Sequence, residues 1–155
     1  MTAPTQTSHQ VNHISIPQEL KNIHQKIQLY VDICYVNKMA FLISKSDSIN
    51  FITIHHMKNK KKDTIIDLLN LLIKTYQSRG FTISYVFGDG EFDRVEIKTT
   101  ILPSNLHICA AGEHVPRIER TIRTVKERAR TLCHSLPYDS FPQLMTKSLL
   151  QNSTQ

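Results

Sequence analysis

Residues 29–36, LYVDICYV, set the terms for any fold of this chain. Leu29, Val31, Ile33 and Tyr35 alternate with Tyr30, Asp32, Cys34 and Val36. An extended segment with this pattern is apolar on nearly both faces. Such a strand belongs in the middle of a sheet, with a layer packed above and another below. Asp32 is the anomaly within it. A carboxylate there is costly to bury unless a cation, a metal ion or an opening to water at the strand edge compensates it.

The flanking sequence supplies the rest of a layered α/β domain. Asn37-Lys38 makes a turn, and residues 39–44 and 49–55 read as two further strands joined by a polar turn around Asp47. These three strands form an antiparallel meander. A helix follows, with Asp63 as its N-cap and Ile65, Leu69, Leu72 and Tyr76 along one face. Gly80 stands where a C′ glycine ends such a helix. Residues 81–87 are a fourth strand, able to lie parallel to an earlier one through a right-handed crossover. Residues 91–102 allow a short helix, and residues 106–110 a fifth strand. A long basic helix starts near Pro116, with Val115, Ile118, Ile122, Val125, Ala129 and Leu132 as its inward face. Pro137 ends it, and residues 141–150 begin a last helix. The order β-β-β-α-β-α-β-α-α resembles a ribonuclease H-like α/β fold with a mixed five-stranded sheet. Residues 1–27 are expected to be a disordered or partly helical lead, with a short helix after Pro17. Residues 28–150 are the domain, and residues 151–155 a frayed end.

Charge is concentrated rather than spread. Lys plus Arg number 19 and Asp plus Glu 13, a net +6. Lys58, Lys60, Lys61 and Lys62 give +4 within five residues, and residues 117–130 give another +4. The remainder of the chain is therefore mildly acidic. Asp89, Glu91, Asp93 and Glu96 lie within eight residues, opposed only by Arg94. Two basic stripes favour a polyanionic partner, although each stripe taken singly also reads as a solvated face. The three cysteines are an odd number without a close pair, which disfavours a disulfide framework or a cysteine zinc site. The N-terminus has no apolar signal-peptide core, and the longest apolar run is too short for a bilayer. A nuclear or cytoplasmic location away from membranes is expected.

Three carboxylates carry the candidate chemistry. Asp32 sits in the first strand. Asp89 directly follows the fourth, where open sheets place their sites, although Asp-Gly is also a common turn pair. Glu119 lies on the basic helix, with Arg123, Lys126 and Arg130 at +4, +7 and +11 along one stripe. A lone Glu with Arg at i+4 is equally an ordinary helix pair. Together, two strand-end aspartates and a helical glutamate can converge in this fold. Such a set suits two Mg²⁺ ions roughly 3.5–4 Å apart, bridging enzyme and phosphate. Lys60, Lys61, Lys62, Arg117, Arg120, Arg123, Lys126 and Arg130 are then the candidate phosphate contacts. His55 and His56 at a strand end are weak metal candidates.

The segments VDICYVN, YQSRGFTISYVFGDGEFD and GEHVPRIERTIRTVKERAR, followed by SLPYDSFPQLM, resemble the integrase catalytic core of copia-type retrotransposons. The likeness covers about residues 28–150 and is greatest to the lineage of diatoms and other microbial eukaryotes. It implies a DDE-type core from a longer polyprotein, with Asp32, Asp89 and Glu119 as catalytic and metal-binding residues. It further implies Mg²⁺ or Mn²⁺, 3′-end processing and strand transfer of element DNA into target DNA, and homo-oligomers. Glu113, before Pro116, is the rival for the third position. Fifty-six residues separate Asp32 from Asp89, a usual interval for the family. Only 29 separate Asp89 from Glu119, several fewer than is typical. His9 and His13 are spaced like half of the family's zinc finger, but no Cys-x-x-Cys follows before Asp32. Two other readings stand beside this one: a non-catalytic nucleic-acid-binding relic, and a ribonuclease H-like nuclease acting on RNA–DNA hybrids.

Overall fold

In a computed structural model, residues 15–109 and 116–154 are described. In chain order they form α1 (Gln18–Ile23), β1 (Lys26–Val36), β2 (Met39–Ser46), β3 (Ile52–Met57), α2 (Lys62–Ser78) and β4 (Thr82–Gly88). A 3₁₀ turn (Gly90–Phe92), α3 (Val95–Thr100), β5 (Asn105–Ile108), α4 (Pro116–His134) and α5 (Gln143–Asn152) follow. The five strands make one sheet in the order β3-β2-β1-β4-β5. β1 pairs antiparallel with β2 and β2 with β3, whereas β4 runs parallel to both β1 and β5. This mixed sheet with flanking helices is the ribonuclease H-like α/β architecture.

β1 is central, as its two-sided apolar pattern requires, and each face feeds a separate core. Ile27, Leu29 and Val31 join Ile65, Leu69, Leu72 and Tyr76 of α2, together with Phe92, Ile97 and Ile101. On the other face Cys34, Phe41, Ile43 and Ile54 meet Ile118, Val125 and Ala129 of α4 and Leu150 of α5. Alternation along β1 puts Tyr30, Asp32 and Cys34 on this second face, beneath α4.

Helix ends explain two details. α2 begins one residue earlier than its expected N-cap: Lys61 takes that position without a side-chain cap, and Asp63 falls in the first turn. A carboxylate there still complements the partial positive charge of the helix start. At the other end Gly80 has φ +86°, its N–H donates to the Gln77 carbonyl, and the Phe81 N–H donates to the Tyr76 carbonyl. That pair of bonds is a Schellman motif, which turns the chain directly into β4.

The buried stripe of α4 is Ile118, Thr121, Val125 and Ala129. Ile122 is half-buried and Leu132 exposed, so the inward face is rotated slightly from the apolar one. Thr121 can take a core position because its hydroxyl donates to the Arg117 carbonyl at 2.8 Å. Val115 and Glu113 lie outside the described residues, as do His9 and His13. The last helix runs to Asn152, and Ser153 beyond it is buried, its carbonyl accepting from Arg128 Nη1.

Candidate nucleic-acid and metal site

The site is built from the C-terminal end of β1 upward. The β1–β4 ladder pairs Leu29 with Val86 and Tyr30 with Phe87. Carried two residues further, this register sets Asp32 level with Asp89, one residue past the end of β4. Asp89 has an extended backbone and caps the 3₁₀ turn, its Oδ1 accepting from the Glu91 N–H at 3.0 Å. Asp32 Oδ1 accepts from the Ile33 N–H at 2.7 Å. Burial, above all, pushes the Asp32 carboxyl above its ordinary range. The Ile33 hydrogen bond opposes that, and the negative charges of Asp89, Glu91 and Glu119 push it further up.

Asp32 and Glu119 line one open cleft of about 460 Å³. Its floor is residues 32–35 of β1, and its wall is Glu119, Ile122, Arg123, Lys126 and Arg130 of α4. The sequence stripe at +4, +7 and +11 from Glu119 thus faces the floor that carries Asp32. Asp89 sits just past the end of the neighbouring strand β4 and is not part of the lining. Among the described residues, no three His, Cys, Asp or Glu side chains are gathered closely enough to hold a metal ion. The donor chemistry nonetheless suits a hard divalent cation: the donors are carboxylate oxygens whose mutual repulsion a cation would relieve. Cys34, also in the cleft, is held as the thiol, its pKa pushed up to about 11 mainly by burial. It is not a soft metal ligand at neutral pH.

The remaining basic residues divide. Lys60 Nζ bonds Glu91 Oε1 at 2.6 Å and sits 5.0 Å from the centre of the Tyr35 ring. Lys62 Nζ bonds Glu96 Oε1 at 2.9 Å. The lysine run is therefore engaged by the acidic run, a pairing that sequence spacing could not reveal because it joins segments about thirty residues apart. These pairs are exposed, so each contributes little to stability. Lys61 is exposed at the start of α2. Arg117 pairs with Asp47 and lies 5.8 Å over the Tyr30 ring, away from the cleft wall. Arg120 is exposed, about 100° around the helix from Glu119. His55 and His56 are neighbours on β3 and point to opposite faces, so they cannot grip one ion together.

One feature of the neighbourhood was not singled out from the sequence. Tyr30 stacks on Phe87 at 5.0 Å, and Phe87 meets Tyr85 at 6.2 Å and His107 at 5.2 Å. The signal was present as aromatic residues two apart in β4, on the face opposite Ile83 and Val86.

Comparison with known proteins supports the fold. The chain is similar to the crystal structure of the catalytic core domain of BIV integrase, with a TM-score of 0.63 over 82% of this chain and 80% of that one. Identity is 13%, so the likeness is one of fold: the chain has the architecture of an integrase catalytic core. No family model matches the sequence. No curated protein matches it either. No helix among the described residues is long and apolar enough to cross a membrane.

Proposed function

We propose that this chain is an integrase-core-like domain that binds DNA and performs metal-dependent 3′-end processing and strand transfer on retroelement DNA of the copia type. The observation that carries the reading is the cleft in which Asp32 faces Glu119 beside Arg123, Lys126 and Arg130, with Asp89 level with Asp32 on the next strand. Asp32, Asp89 and Glu119 would hold two Mg²⁺ or Mn²⁺ ions. Bound there, the ions would activate the attacking oxygen and stabilise the leaving one. The chain's own contribution is positioning. Arg123, Lys126 and Arg130 neutralise and orient the phosphodiester backbone along the α4 wall. Lys60, Lys61 and Lys62 extend the positive surface past the end of β1, once phosphate replaces the carboxylates that engage Lys60 and Lys62. Homo-oligomers and a nuclear or cytoplasmic location belong to the same reading.

The test is nicking and strand transfer on duplex DNA carrying an element end, with and without Mg²⁺ or Mn²⁺. Metal-dependent product is expected from wild type and not from Asp32→Asn or Glu119→Gln. A second reading is favoured by the short interval between Asp89 and Glu119 and by the ungathered carboxylates: a DNA-binding relic without catalysis. It predicts salt-sensitive binding indifferent to divalent metal, with wild type and both variants equally inactive.

A further inference from the structure

We infer that Tyr85 and His107, backed by the stacked pair Phe87 and Tyr30, form a stacking platform for an unpaired base at the end of a DNA strand. The inference rests on the DNA-binding reading above and extends it to the form of DNA recognised. These four side chains occupy one face of β1, β4 and β5, on the side of the sheet where α4 lies over β1. The rings are in continuous contact, from Tyr30 through Phe87 to Tyr85 and His107. Yet the strip is not sealed into a core: Tyr85 is 44% exposed and His107 is exposed.

A row of aromatic rings left partly open on a sheet is an unfavourable use of apolar surface unless something covers it. Three observations point to a nucleotide base as the cover. First, cations border the strip: Lys45 is the cross-strand neighbour of Tyr30, and the Arg117 guanidinium, itself paired with Asp47, lies over the Tyr30 ring. Second, the strip adjoins the carboxylates. Tyr30 and Phe87 precede Asp32 and Asp89 by two residues in register, about 7 Å along the strands. A phosphate held near Asp32 would therefore put a flanking nucleotide over the rings. Third, sheet-borne aromatic side chains stack bases whatever their sequence, because every base offers a π-face. A paired base inside a duplex has both faces occupied by its neighbours. The end pair of a blunt duplex frees one face but stays locked to its partner and its helix, so the base that fits the platform best is an unpaired one at a strand end, free to turn onto the sheet.

The experiment uses the full chain and two fluorescent DNA probes, a blunt duplex and the same duplex with a short 3′ overhang carrying terminal 2-aminopurine. Binding to the overhang should be at least about fivefold tighter than to the blunt end, with the 2-aminopurine emission quenched by stacking. Tyr85→Ala with His107→Ala should abolish both the preference and the quenching while leaving blunt-duplex affinity intact. Tyr85→Phe should retain them, and the melting temperature of each variant reports folding. Equal affinity for both probes, or quenching that survives the double variant, overturns the platform and leaves the DNA-binding reading standing. Loss of a dimer in Tyr85→Ala by sedimentation also overturns it, because the strip is then an interface between copies. Failure of wild type to bind either probe at low salt refutes the DNA-binding reading itself.

Discussion

Gly88→Ala gives a direct test of how the core holds the site. Gly88 is the last residue of β4 and immediately precedes Asp89. A Cβ added there would lie 2.8 Å from Cδ2, 3.0 Å from Cγ and 3.3 Å from Cβ of Phe92. The Phe92 side chain is fully buried in the core beneath α2 and α3, so any shift of its ring must be taken up by packed neighbours. The backbone at Gly88 needs no positive φ, so the whole effect is steric. Overpacking of this kind costs about 1–3 kcal/mol. For a chain of this size about 2 kcal/mol lowers the melting temperature by roughly 4–8 °C. Phe92 also ends the 3₁₀ turn that Asp89 caps, so the displaced ring pulls on the carboxylate. The assay is thermal and denaturant unfolding of Gly88→Ala, Phe92→Leu and the double variant. Leucine leaves room for the new methyl, so the double variant should be less destabilised than the sum of the singles, by about 1 kcal/mol. A melting temperature unchanged in Gly88→Ala, or strict additivity in the cycle, would refute the argument that this ring is wedged against the strand end.

Asp32→Asn should raise stability at neutral pH. Burial and neighbouring carboxylates hold the folded-state pKa above 3.8, so the ionised form carries a penalty at neutral pH that asparagine removes. The gain should shrink as pH falls through the raised pKa and vanish below about 3.8, as followed by melting temperature across pH. Replacing Arg123, Lys126 and Arg130 together by Ala should weaken DNA binding and reduce the slope of log K against log salt by about 2–3, measured by fluorescence anisotropy. Gly80→Ala should destabilise by about 1–2 kcal/mol in urea unfolding, since its φ of +86° strains any L side chain while the new Cβ meets only Lys21 methylenes at 3.6 Å.

The elements were legible because each rests on a local pattern. The helical spacing of Ile65, Leu69, Leu72 and Tyr76 needs only the period of a helix, and those four are the buried residues of α2. Gly80 is readable because its left-handed conformation, with φ of +86°, favours glycine at the end of a helix. Errors arose where local pattern met tertiary packing. Leu132 reads as core from its apolar side chain but is exposed near the end of α4, while the sheet beneath the helix admits Thr121 instead. The lysine and acidic runs read as separate features, whereas folding places Lys60 on Glu91 and Lys62 on Glu96. No spacing rule reports such pairs.

The alignment of Asp32 with Asp89 depends on one irregularity that the alternation only hints at. At the start of the β1–β4 ladder Ile27 pairs with Ile83, an offset of 56, and the next pair is Gln28 with Tyr85, an offset of 57. Ser84 is the residue absorbed by this bulge, its hydroxyl donating to the Ile27 carbonyl at 3.1 Å. Had the first register continued, Gly88 would stand level with Asp32, and Asp89 would fall one residue beyond. Side chains alternate, so that slip would also exchange the faces of β4. Tyr85 and Phe87 would turn toward the α2 core, and Ser84 and Val86 would turn away from it. The single bulge thus does two things at once: it seats Ile83 and Val86 in the same core and it brings the aromatic strip to the face that carries Asp32. The spacing of Ile83 and Val86 by three rather than two is its trace in the sequence. Both the proposed metal site and the proposed platform rest on that one extra residue.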